Sequence, residues 1–276
     1  MPICQFFKVP LEKHMENFEK CVDVMWMSIR QTAAETAKSE PVLAGLLDEV
    51  ILSRKSLFDS ICMRVARKLS RHALGTVEIY EVFMEAFEDR EIRQKAFDDL
   101  MAIKSRDPAC SSYMHPIMYF KGFHAITVHR VAHWLWNNDR RHLAYYLQSL
   151  CSEIFAVDIH PAARFGSGIL LDHATSFVAG ETSVVEDNVS ILHEVTLGGT
   201  GNETGDRHPK VRSGVLIGAG AKLIGNITIG TCAKIGAGSV VLDDVEPHTT
   251  VVGVPARPTN VIPEDNPACC MNQKCE

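Results

Sequence analysis

The sequence predicts an α+β fold class in which an all-α N-terminal domain precedes a parallel β-solenoid. Three observations support this prediction. Apolar residues recur every sixth position from Ile159 to Val241, whereas the preceding residues have apolar spacings of three and four. Only three glycines occur before residue 153, and many follow it. The change occurs near residue 154 without a flexible linker, so we expect the two parts to be joined directly.

The six-residue period fits neither the period of two of a strand nor the 3.6 of a helix. Short parallel strands joined by tight corners produce such a period, because every sixth side chain points to the axis of a stacked coil. Twelve of the thirteen positions in the series are apolar, which an ordinary β-sandwich would match only by coincidence. The series consists of Ile159, Phe165, Leu171, Phe177, Ser183, Val189, Val195, Val211, Ile217, Leu223, Ile229, Ile235 and Val241.

The series is interrupted once, where Val195 is followed by Val211 after one repeat and ten extra residues. The polar segment 201–210 matches that excess and is predicted to be a loop. We expect domains at 1–153 (all-α), at 154–258 (β-helix with this loop) and at 259–276, where a polar segment without periodicity predicts a flexible tail. Helices are predicted at 11–38, 42–55, 57–74, 77–87, 90–104, 116–136 and 140–155.

Composition excludes several classes of protein. A length of 276 residues suggests about two domains, and 46% hydrophobic residues suffice for a core. The net charge of −6 argues against a dedicated nucleic-acid or membrane-surface binder. The first thirty residues lack a secretory signal, and no run of about 18 apolar residues predicts a membrane span. Nine scattered cysteines indicate reduced thiols in a cytoplasmic protein.

The solenoid segment also carries many acidic, basic and imidazole side chains. With about eighteen residues per coil, the fifteen residues between Asp158 and His173 put both near a common edge on adjacent coils. A carboxylate beside an imidazole fixes its tautomer and raises its basicity, which makes a general base. By spacing alone, a surface pair without function fits equally well. The candidates are Asp158, His160, Asp172, His173, His193, Asp206, Arg207 and His208.

Seven motifs in order resemble those of the serine acetyltransferase family over roughly residues 25 to 258. That family has a helical N-terminal domain and a left-handed β-helix of hexapeptide repeats. The resemblance implies transfer of acetyl from acetyl-CoA to the hydroxyl of L-serine, giving O-acetyl-L-serine and CoA for cysteine biosynthesis. The motifs are SRDPA at 105–109, KGFHA at 121–125, DIHPAA at 158–163, LDHAT at 171–175, VTLGGTG at 195–201, GDRHPK at 205–210 and GVPAR at 253–257.

The resemblance implies a role for each matching position. His173 matches the general base, and Asp158 matches its partner. Asp107 and Asp172 match the carboxylates that hold the serine ammonium. Arg207 and His208 match the residues that reach the serine carboxylate. Charge-assisted hydrogen bonds would thus fix both ends of the zwitterion and aim its hydroxyl at the base. No nucleophile-elbow motif is present, so we expect direct transfer without an acyl-enzyme.

The resemblance also implies a groove for acetyl-CoA along the solenoid. It assigns cofactor contacts to Gly199, Thr200, Ala219, Lys234 and Ala237. Lys234 would pair with a CoA phosphate, although by itself it is equally a solvated surface lysine. No metal is expected. The helical histidines lack the acidic and thiol neighbours of a metal site.

Assembly and partners follow from the resemblance as well. Family members are trimers through the β-helix, paired into hexamers by the helical domains, with active sites between neighbouring β-helices. The loop would then reach an adjacent chain. L-Cysteine is expected as a feedback inhibitor at the serine site. Many members end in isoleucine, which enters cysteine synthase; here a second carboxylate at Glu276 makes that complex doubtful.

Two readings from other classes remain open. Some β-helix proteins are zinc carbonic anhydrases, but the close pair of histidines in that family is missing here. A non-catalytic scaffold would keep the fold and lose the acid–base residues, which are all present. Other acetyltransferases of this fold accept sugars or antibiotics, while the helical half and the motif around Asp107 favour serine.

Overall fold

The computed structural model describes residues 11–71 and 74–275. Residues 1–10 and Glu276 are outside the described ranges, as are residues 72–73 near the end of the predicted helix 57–74. The predictions for these positions therefore have no structural counterpart here. Within the described ranges, no helix is both long and apolar enough to cross a membrane.

Helices make up most of the described residues from 11 to 155, as the apolar spacing predicts. Most bounds agree with the predicted ones to within a few residues, and the boundary expected at 153–154 falls in the last turn of the eighth helix. The helices are α1 Leu11–Ser39, α2 Ala44–Leu47, α3 Leu57–Leu69, α4 Thr76–Ala86, α5 Arg90–Arg106, α6 Met114–Tyr119, α7 Lys121–Asn137 and α8 Arg141–Phe155.

Two predicted helices are divided in the structure. The range 42–55 is a 3-10 turn at Pro41–Leu43, then α2, then a π-helical turn at Asp48–Leu52. The range 116–136 breaks at Phe120, which has extended backbone angles, into α6 and α7. The break starts α7 against the solenoid, where a Cβ on Gly122 would lie 2.0 Å from the Leu171 carbonyl oxygen. Only glycine permits this approach of helix to strand.

The C-terminal half is a parallel β-helix with three faces, which confirms the predicted fold class. We call the faces A, B and C; each of the first four coils contributes one short strand to each face in that order. Face A contains β1 Val157–Ile159, β4 Phe177–Ala179, β7 Thr196–Gly198, β10 Lys222–Ile224 and β13 Val240–Val241; face B contains β2 Arg164–Phe165, β5 Val184–Val185, β8 Lys210–Val211 and β11 Thr228–Ile229; face C contains β3 Leu170–Leu171, β6 Ser190–Ile191, β9 Leu216–Ile217, β12 Lys234–Ile235, β14 Thr250–Gly253 and β15 Ala256–Pro258.

All thirteen positions of the six-residue series are buried, so the predicted inward residues are confirmed. However, the residues that stack directly on one another in successive coils are partly different from those of the six-residue series. Phe165 pairs with Val185 and not with Ser183, because two extra residues precede β4. Ser183 is buried all the same, since residues two apart on a strand point to the same side. The three stacked rows are Ile159, Ala179, Leu197, Leu223 and Val241 on face A; Phe165, Val185, Val211, Ile229 and Val245 on face B; and Leu171, Ile191, Ile217, Ile235 and Val251 on face C.

The register corrects where the extra residues lie. Most corners join one row to the next in six residues, as from Ile191 to Leu197, but Leu171 to Ala179 takes eight. The step from Leu197 to Val211 takes fourteen, so this loop contains eight extra residues instead of ten. The other two belong to the corner between β3 and β4.

The long loop accordingly spans 199–209. Lys210, which the sequence assigned to the loop, is the first residue of β8 and pairs with Val184. The predicted loop 201–210 is thus shifted at both ends, because counting from one unbroken frame hides the earlier insertion.

A buried ion pair joins the helical half to the first coil. Arg130 of α7 binds the Asp99 carboxylate of α5 through Nε at 2.8 Å and Nη2 at 2.7 Å. The same Nη2 donates to the Gly166 carbonyl at 2.9 Å, and Asp99 accepts the Ile169 amide at 2.8 Å. The pair is therefore satisfied on both sides, which a buried pair requires.

A second arginine anchors α5 at its C-terminal end. Arg106 donates through Nη1 to the Gly168 carbonyl at 3.0 Å and to Ser190 Oγ at 3.1 Å, and through Nη2 to Asn188 Oδ1 at 3.0 Å. These contacts reach two successive coils. The next residue, Asp107, is thereby held beside the solenoid.

The segment beyond residue 258 differs from the expected flexible tail. It contains a ninth helix, α9 Pro267–Cys270, which packs against α5 and buries Ala268. Ser190 Oγ donates to the Ala268 carbonyl at 2.8 Å, and the Ala268 amide donates to the Gly214 carbonyl at 3.3 Å. Small apolar residues of this segment pack against the coils. The sequence does not predict this contact, because the segment is polar overall and has no periodicity.

Candidate active site

The corner between β3 and β4, residues 172–176, is the most distorted turn of the solenoid. Its two extra residues are accommodated by positive φ angles at His173, Ala174 and Ser176. Such angles are unfavourable for residues with a Cβ and persist where the surroundings hold them. Here the Ser176 amide donates to the Ala156 carbonyl at 2.7 Å, and Lys121 Nζ donates to Thr175 Oγ1 at 2.5 Å. The corner presents His173 to solvent, with 73% of its side chain exposed.

The Asp172 carboxylate and a second imidazole lie close to His173, and Asp107 acts on Asp172. The His173 Nε2 lies 3.8 Å from Asp172 Oδ1, and the His173 ring centroid lies 5.7 Å from that of His193 on the next corner. Burial raises the pKa of Asp172 above its ordinary value; the His173 imidazole opposes that rise and the Asp107 carboxylate adds to it. Asp107 therefore lies near enough for electrostatic coupling. The structure brings together three of the predicted residues here, and we call the group with His193 the acid–imidazole cluster.

The predicted carboxylate-binding residues lie together at a different place. Arg207 Nη2 donates to Glu181 Oε2 at 2.8 Å, and this hydrogen bond lowers the pKa of the Glu181 carboxyl. Thr182 Oγ1 lies 2.9 Å from Nδ1 of His208, a residue only 7% exposed. Burial lowers the pKa of His208, and the positive charges of Arg207 and Lys210 lower it further. We call Glu181, Thr182, Arg207 and His208 the basic cluster.

The two clusters lie on opposite edges of face A. The acid–imidazole cluster is on the edge where face C turns into face A, and the basic cluster is where face A turns into face B. About five residues of extended chain separate His173's corner from the Glu181–Thr182 turn, or roughly 16 Å. Serine carries its ammonium and carboxylate on one carbon atom, so one molecule does not reach both clusters of a single chain.

Asp158 lies on β1, on face A. Its Oδ1 accepts Gln148 Nε2 of α8 at 2.7 Å, and among the described residues it forms no ion pair with His173. Its charge acts on His160, whose pKa burial lowers while Glu181 and Asp158 oppose the fall. The sequence did not predict the contact with Gln148 or the grouping of charges around His160, because these residues meet only when α8 packs on the first coil.

The predicted cofactor residues also divide between the edges. Ala219 and Ala237 occupy the corners after β9 and β12, on the same edge as His173, and the Gly238 amide donates to the Ala219 carbonyl at 2.8 Å. With coils about 4.8 Å apart, Ala237 lies about 14 Å along the edge from His173. Gly199 and Thr200 lie on the other edge, at the start of the long loop.

Lys234 is covered by the C-terminal segment. Only 2% of its side chain is exposed, its Nζ donates to the Lys274 carbonyl, and Glu264 Oε2 lies 3.9 Å away. Cys275 Sγ lies near Gly236 on the same face. A ligand reaches this lysine only after residues 264–275 are displaced, which the sequence did not indicate.

Other features lie away from the two edges. A cavity of about 330 Å³ between α5, α7 and β2 is lined by Lys95, His129 and His133 and contains none of the predicted site residues. Across residues 11–71 and 74–275, no three His, Cys, Asp or Glu side chains are grouped so as to hold a metal ion.

Comparison with known proteins matches both halves. The family described as serine acetyltransferase, N-terminal, matches residues 25–128, and bacterial transferase hexapeptide (six repeats) matches 208–243. A serine acetyltransferase of Salmonella typhimurium is 49% identical over 253 residues, covering 91% of this chain and 93% of that protein. The crystal structure of a serine acetyltransferase from Vibrio cholerae superposes with a TM-score of 0.90 at 50% identity, covering 92% of this chain and 98% of that one.

Three related structures contain ligands. A serine acetyltransferase from Brucella abortus holds coenzyme A (TM-score 0.85, 53% identity, 87% of this chain and 96% of that one). A serine acetyltransferase from Neisseria gonorrhoeae holds serine (TM-score 0.83, 51% identity, 85% of this chain and 96% of that one). A further serine acetyltransferase holds cysteine (TM-score 0.87, 49% identity, 91% of this chain and 98% of that one).

The hexapeptide coils and the exposed imidazole on their edge define an acyltransferase of the hexapeptide-repeat class. Within that class, the helical half and the similarity to serine acetyltransferases over nine-tenths of the chain identify one family. The chain belongs to the serine acetyltransferase family.

Proposed function

We propose that this protein transfers the acetyl group of acetyl-CoA to the hydroxyl of L-serine, giving O-acetyl-L-serine and CoA. The observation that carries the proposal is the acid–imidazole cluster: at a corner that has two extra residues, an exposed imidazole lies beside Asp172, whose carboxyl is in turn coupled to Asp107. The product would enter cysteine biosynthesis, and nine cysteines without a disulfide framework favour a cytoplasmic setting.

The proposed chemistry is a direct transfer with His173 as general base. The imidazole takes the proton of the serine hydroxyl as its oxygen attacks the thioester carbonyl; the new C–O bond forms, the C–S bond breaks, and the imidazolium returns the proton to the CoA thiolate. Such a base contributes about 10²–10⁴-fold. In the assembled site Asp158 orients the imidazole, and for that it must exchange its contact with Gln148 for one with His173.

The proposed substrate contacts use charge complementarity. Asp107 and Asp172 bind the serine ammonium, and Arg207 and His208 bind its carboxylate. Serine and cysteine differ only in the hydroxyl or thiol, and relatives holding each of them support one shared site. L-Cysteine is therefore proposed as an inhibitor that competes with serine.

Acetyl-CoA is proposed to lie along the edge that carries His173. Small residues at Ala219 and Ala237 leave the corner backbone accessible to the pantetheine amides, and a relative that holds coenzyme A supports the co-substrate. Gly199 and Thr200 lie on the other edge, so they would contribute to the groove from a neighbouring copy. Lys234 would bind a phosphate once the C-terminal segment moves aside.

The site is proposed to form between two copies of the chain, within a trimer or a dimer of trimers. The separation of the two clusters by roughly 16 Å supports this. In a cyclic assembly, the acid–imidazole cluster of one copy faces the basic cluster and the long loop of the next.

A thiol-release assay tests the reaction. Purified protein is given acetyl-CoA with L-serine, D-serine, L-threonine, L-homoserine, a sugar or no acceptor, and free CoA is followed with a thiol reagent. We expect fast release with L-serine only. Equal release with a sugar acceptor, or none with any amino acid, would reject the proposal.

A mixing experiment tests the shared site. His173→Ala and Arg207→Ala are each expected to be nearly inactive at low serine concentration. Refolded or co-expressed together in equal amounts, they should regain about a quarter of wild-type activity, since one interface in four then pairs two intact clusters. No recovery in verified mixed assemblies would put the site within one chain.

A further inference from the structure

The hydroxyl of Thr182 contacts three nitrogen atoms at the end of the long loop. The backbone amides of Arg207 and His208 donate to Thr182 Oγ1 at 3.0 Å and 3.1 Å, and Nδ1 of the His208 ring lies 2.9 Å from the same oxygen. The Thr182 backbone amide also points to that Nδ1, at 3.3 Å. A single side chain thus holds both proposed carboxylate-binding residues.

The number of protons in these contacts determines the state of the ring. A threonine hydroxyl has two lone pairs and one proton. The two backbone amides occupy the lone pairs, so the hydroxyl proton is left for an acceptor. The Thr182 side chain also lowers the pKa of the Asp206 carboxyl, but the contact with hydrogen-bond geometry is the one to Nδ1 of His208, which must then accept the proton. The Thr182 amide can only donate, so it also requires an unprotonated Nδ1.

We propose that Thr182 is a positioning residue that holds the imidazole of His208 neutral, with its proton on Nε2. The lone pair of the ring is thereby turned toward the protein and the N–H toward the site. His208 is then a hydrogen-bond donor and does not act as a second base.

The surroundings of Nε2 agree with a donor that faces a ligand. A Cβ on Gly180 would lie 1.9 Å from Nε2 and one on Gly199 would lie 3.4 Å from it, so the Nε2 edge of the ring packs against the Gly180 backbone and is bordered by two residues without side chains. Nε2 has no hydrogen-bond partner among the described side chains and backbone groups. The ligand atom that accepts this N–H is a carboxylate oxygen of serine, an assignment that rests on the proposed function.

The charges around the ring favour its neutral form. Burial lowers the pKa of His208, Arg207 and Lys210 lower it further, Glu181 opposes the fall, and His160 adds to it. A lowered pKa keeps the ring uncharged to lower pH than an ordinary histidine, so a neutral donor persists through the physiological range.

The direct test is nitrogen-15 NMR of the resting wild-type protein labelled at histidine. The His208 signals are assigned by their loss in His208→Asn. We expect a neutral ring at pH 7, with the chemical shift of a protonated Nε2 and an unprotonated Nδ1. A proton on Nδ1, or an imidazolium, would refute the proposal. This measurement needs no variant at Thr182 and no substrate.

The kinetic test compares Thr182→Val, which keeps the shape without the hydroxyl, with Thr182→Ser, which restores it. We expect the valine variant to raise the KM for serine about tenfold with kcat within about threefold, and serine at this position to recover most of the loss. Thr231→Val, at an exposed turn between faces B and C, is the matched control and should leave both constants unchanged. A wild-type KM in Thr182→Val, or no rescue by serine, would refute the positioning role.

The two failures are distinguishable. Wild-type protein that does not acetylate serine would refute the proposed function, while the NMR spectrum would still decide the tautomer. A wrong tautomer in a protein that acetylates serine would refute the proposal on Thr182 alone.

Discussion

The two edges of face A place their histidines in opposite environments. His173 stands on a distorted corner with most of its side chain in solvent, whereas His208 is buried and bonded to Thr182. An exposed imidazole with one side free is suited to exchange protons. A buried ring with a fixed hydrogen-bonding pattern is suited to donate one and keep it. The difference teaches that the residue type alone does not assign a role; the contacts of the second ring nitrogen do.

The largest expected effect concerns the exposed edge. His173→Ala should lower kcat by about 100-fold or more, because proton removal from the serine hydroxyl is lost. The unfolding midpoint should not change, since the side chain makes few contacts. Steady-state kinetics and thermal unfolding measure both. His142→Ala, exposed on α8, is the control and should be silent. A loss of less than about threefold would show that His173 is not the base.

The buried edge should respond in binding more than in turnover. Arg207→Ala is expected to raise the KM for serine by about tenfold to a hundredfold, the value of a hydrogen bond to a charged group. Inhibition by cysteine should weaken by a similar factor, because cysteine presents the same carboxylate.

Initial rates at varied serine and cysteine concentrations measure both effects. Arg212→Ala removes an equal charge from a surface pair with Glu186 and serves as the control. Cysteine inhibition that is non-competitive with serine and unaffected by Arg207→Ala would contradict the shared site.

A smaller effect is expected from filling the space beside His208. In Gly180→Ala the new Cβ would meet Nε2 at 1.9 Å, so the ring must move. We expect a loss of about 1–3 kcal/mol in the free energy of unfolding and a severalfold rise in the KM for serine. Chemical denaturation and kinetics report the two quantities.

Gly45→Ala is the matched substitution for this test. Nothing lies within 4 Å of its added Cβ, and the residue is in α2, so it should be neutral or slightly stabilising. Equal behaviour of the two glycine variants would mean that His208 is not held as described.

The smallest expected effect concerns the cover over Lys234. Deleting residues 271–276 removes the Lys274 carbonyl while keeping α9 docked on α5. The KM for acetyl-CoA should fall by about two- to fivefold, because a larger fraction of the protein is then open to the ligand. The KM for serine should not change. An unchanged or increased KM for acetyl-CoA would show that this segment does not compete with the ligand.

The outline of the fold was predictable from local pattern. Burial of every sixth side chain is a property of each coil, so it is written into the sequence and all thirteen positions are buried. The division of 116–136 at Phe120 was not predictable, because it depends on Gly122 meeting a strand that follows it by some fifty residues. The contacts of the C-terminal segment were not predictable for the same reason, since its partners are Ser190 and Lys234.

The candidate residues were likewise named from sequence, while their grouping was not. Sequence order puts Asp158 and His173 fifteen residues apart, yet the structure bonds Asp158 to Gln148 and groups His173 with Asp107 and His193. Thr182 gave no signal, because nothing in its neighbours shows that the chain returns to it at residue 207.

By itself, the sequence determined the helical half, the coil period and the residue types available for acid–base chemistry, because each depends on neighbours within one helix turn or one coil. Tertiary structure alone decided which edge each residue occupies and which contacts each histidine makes. Two extra residues at 172–176 and eight within 199–209 change the register between coils. A repeat count gives their sum of ten, but their division between the two corners becomes definite only when the coils stack and their hydrogen bonds select one register.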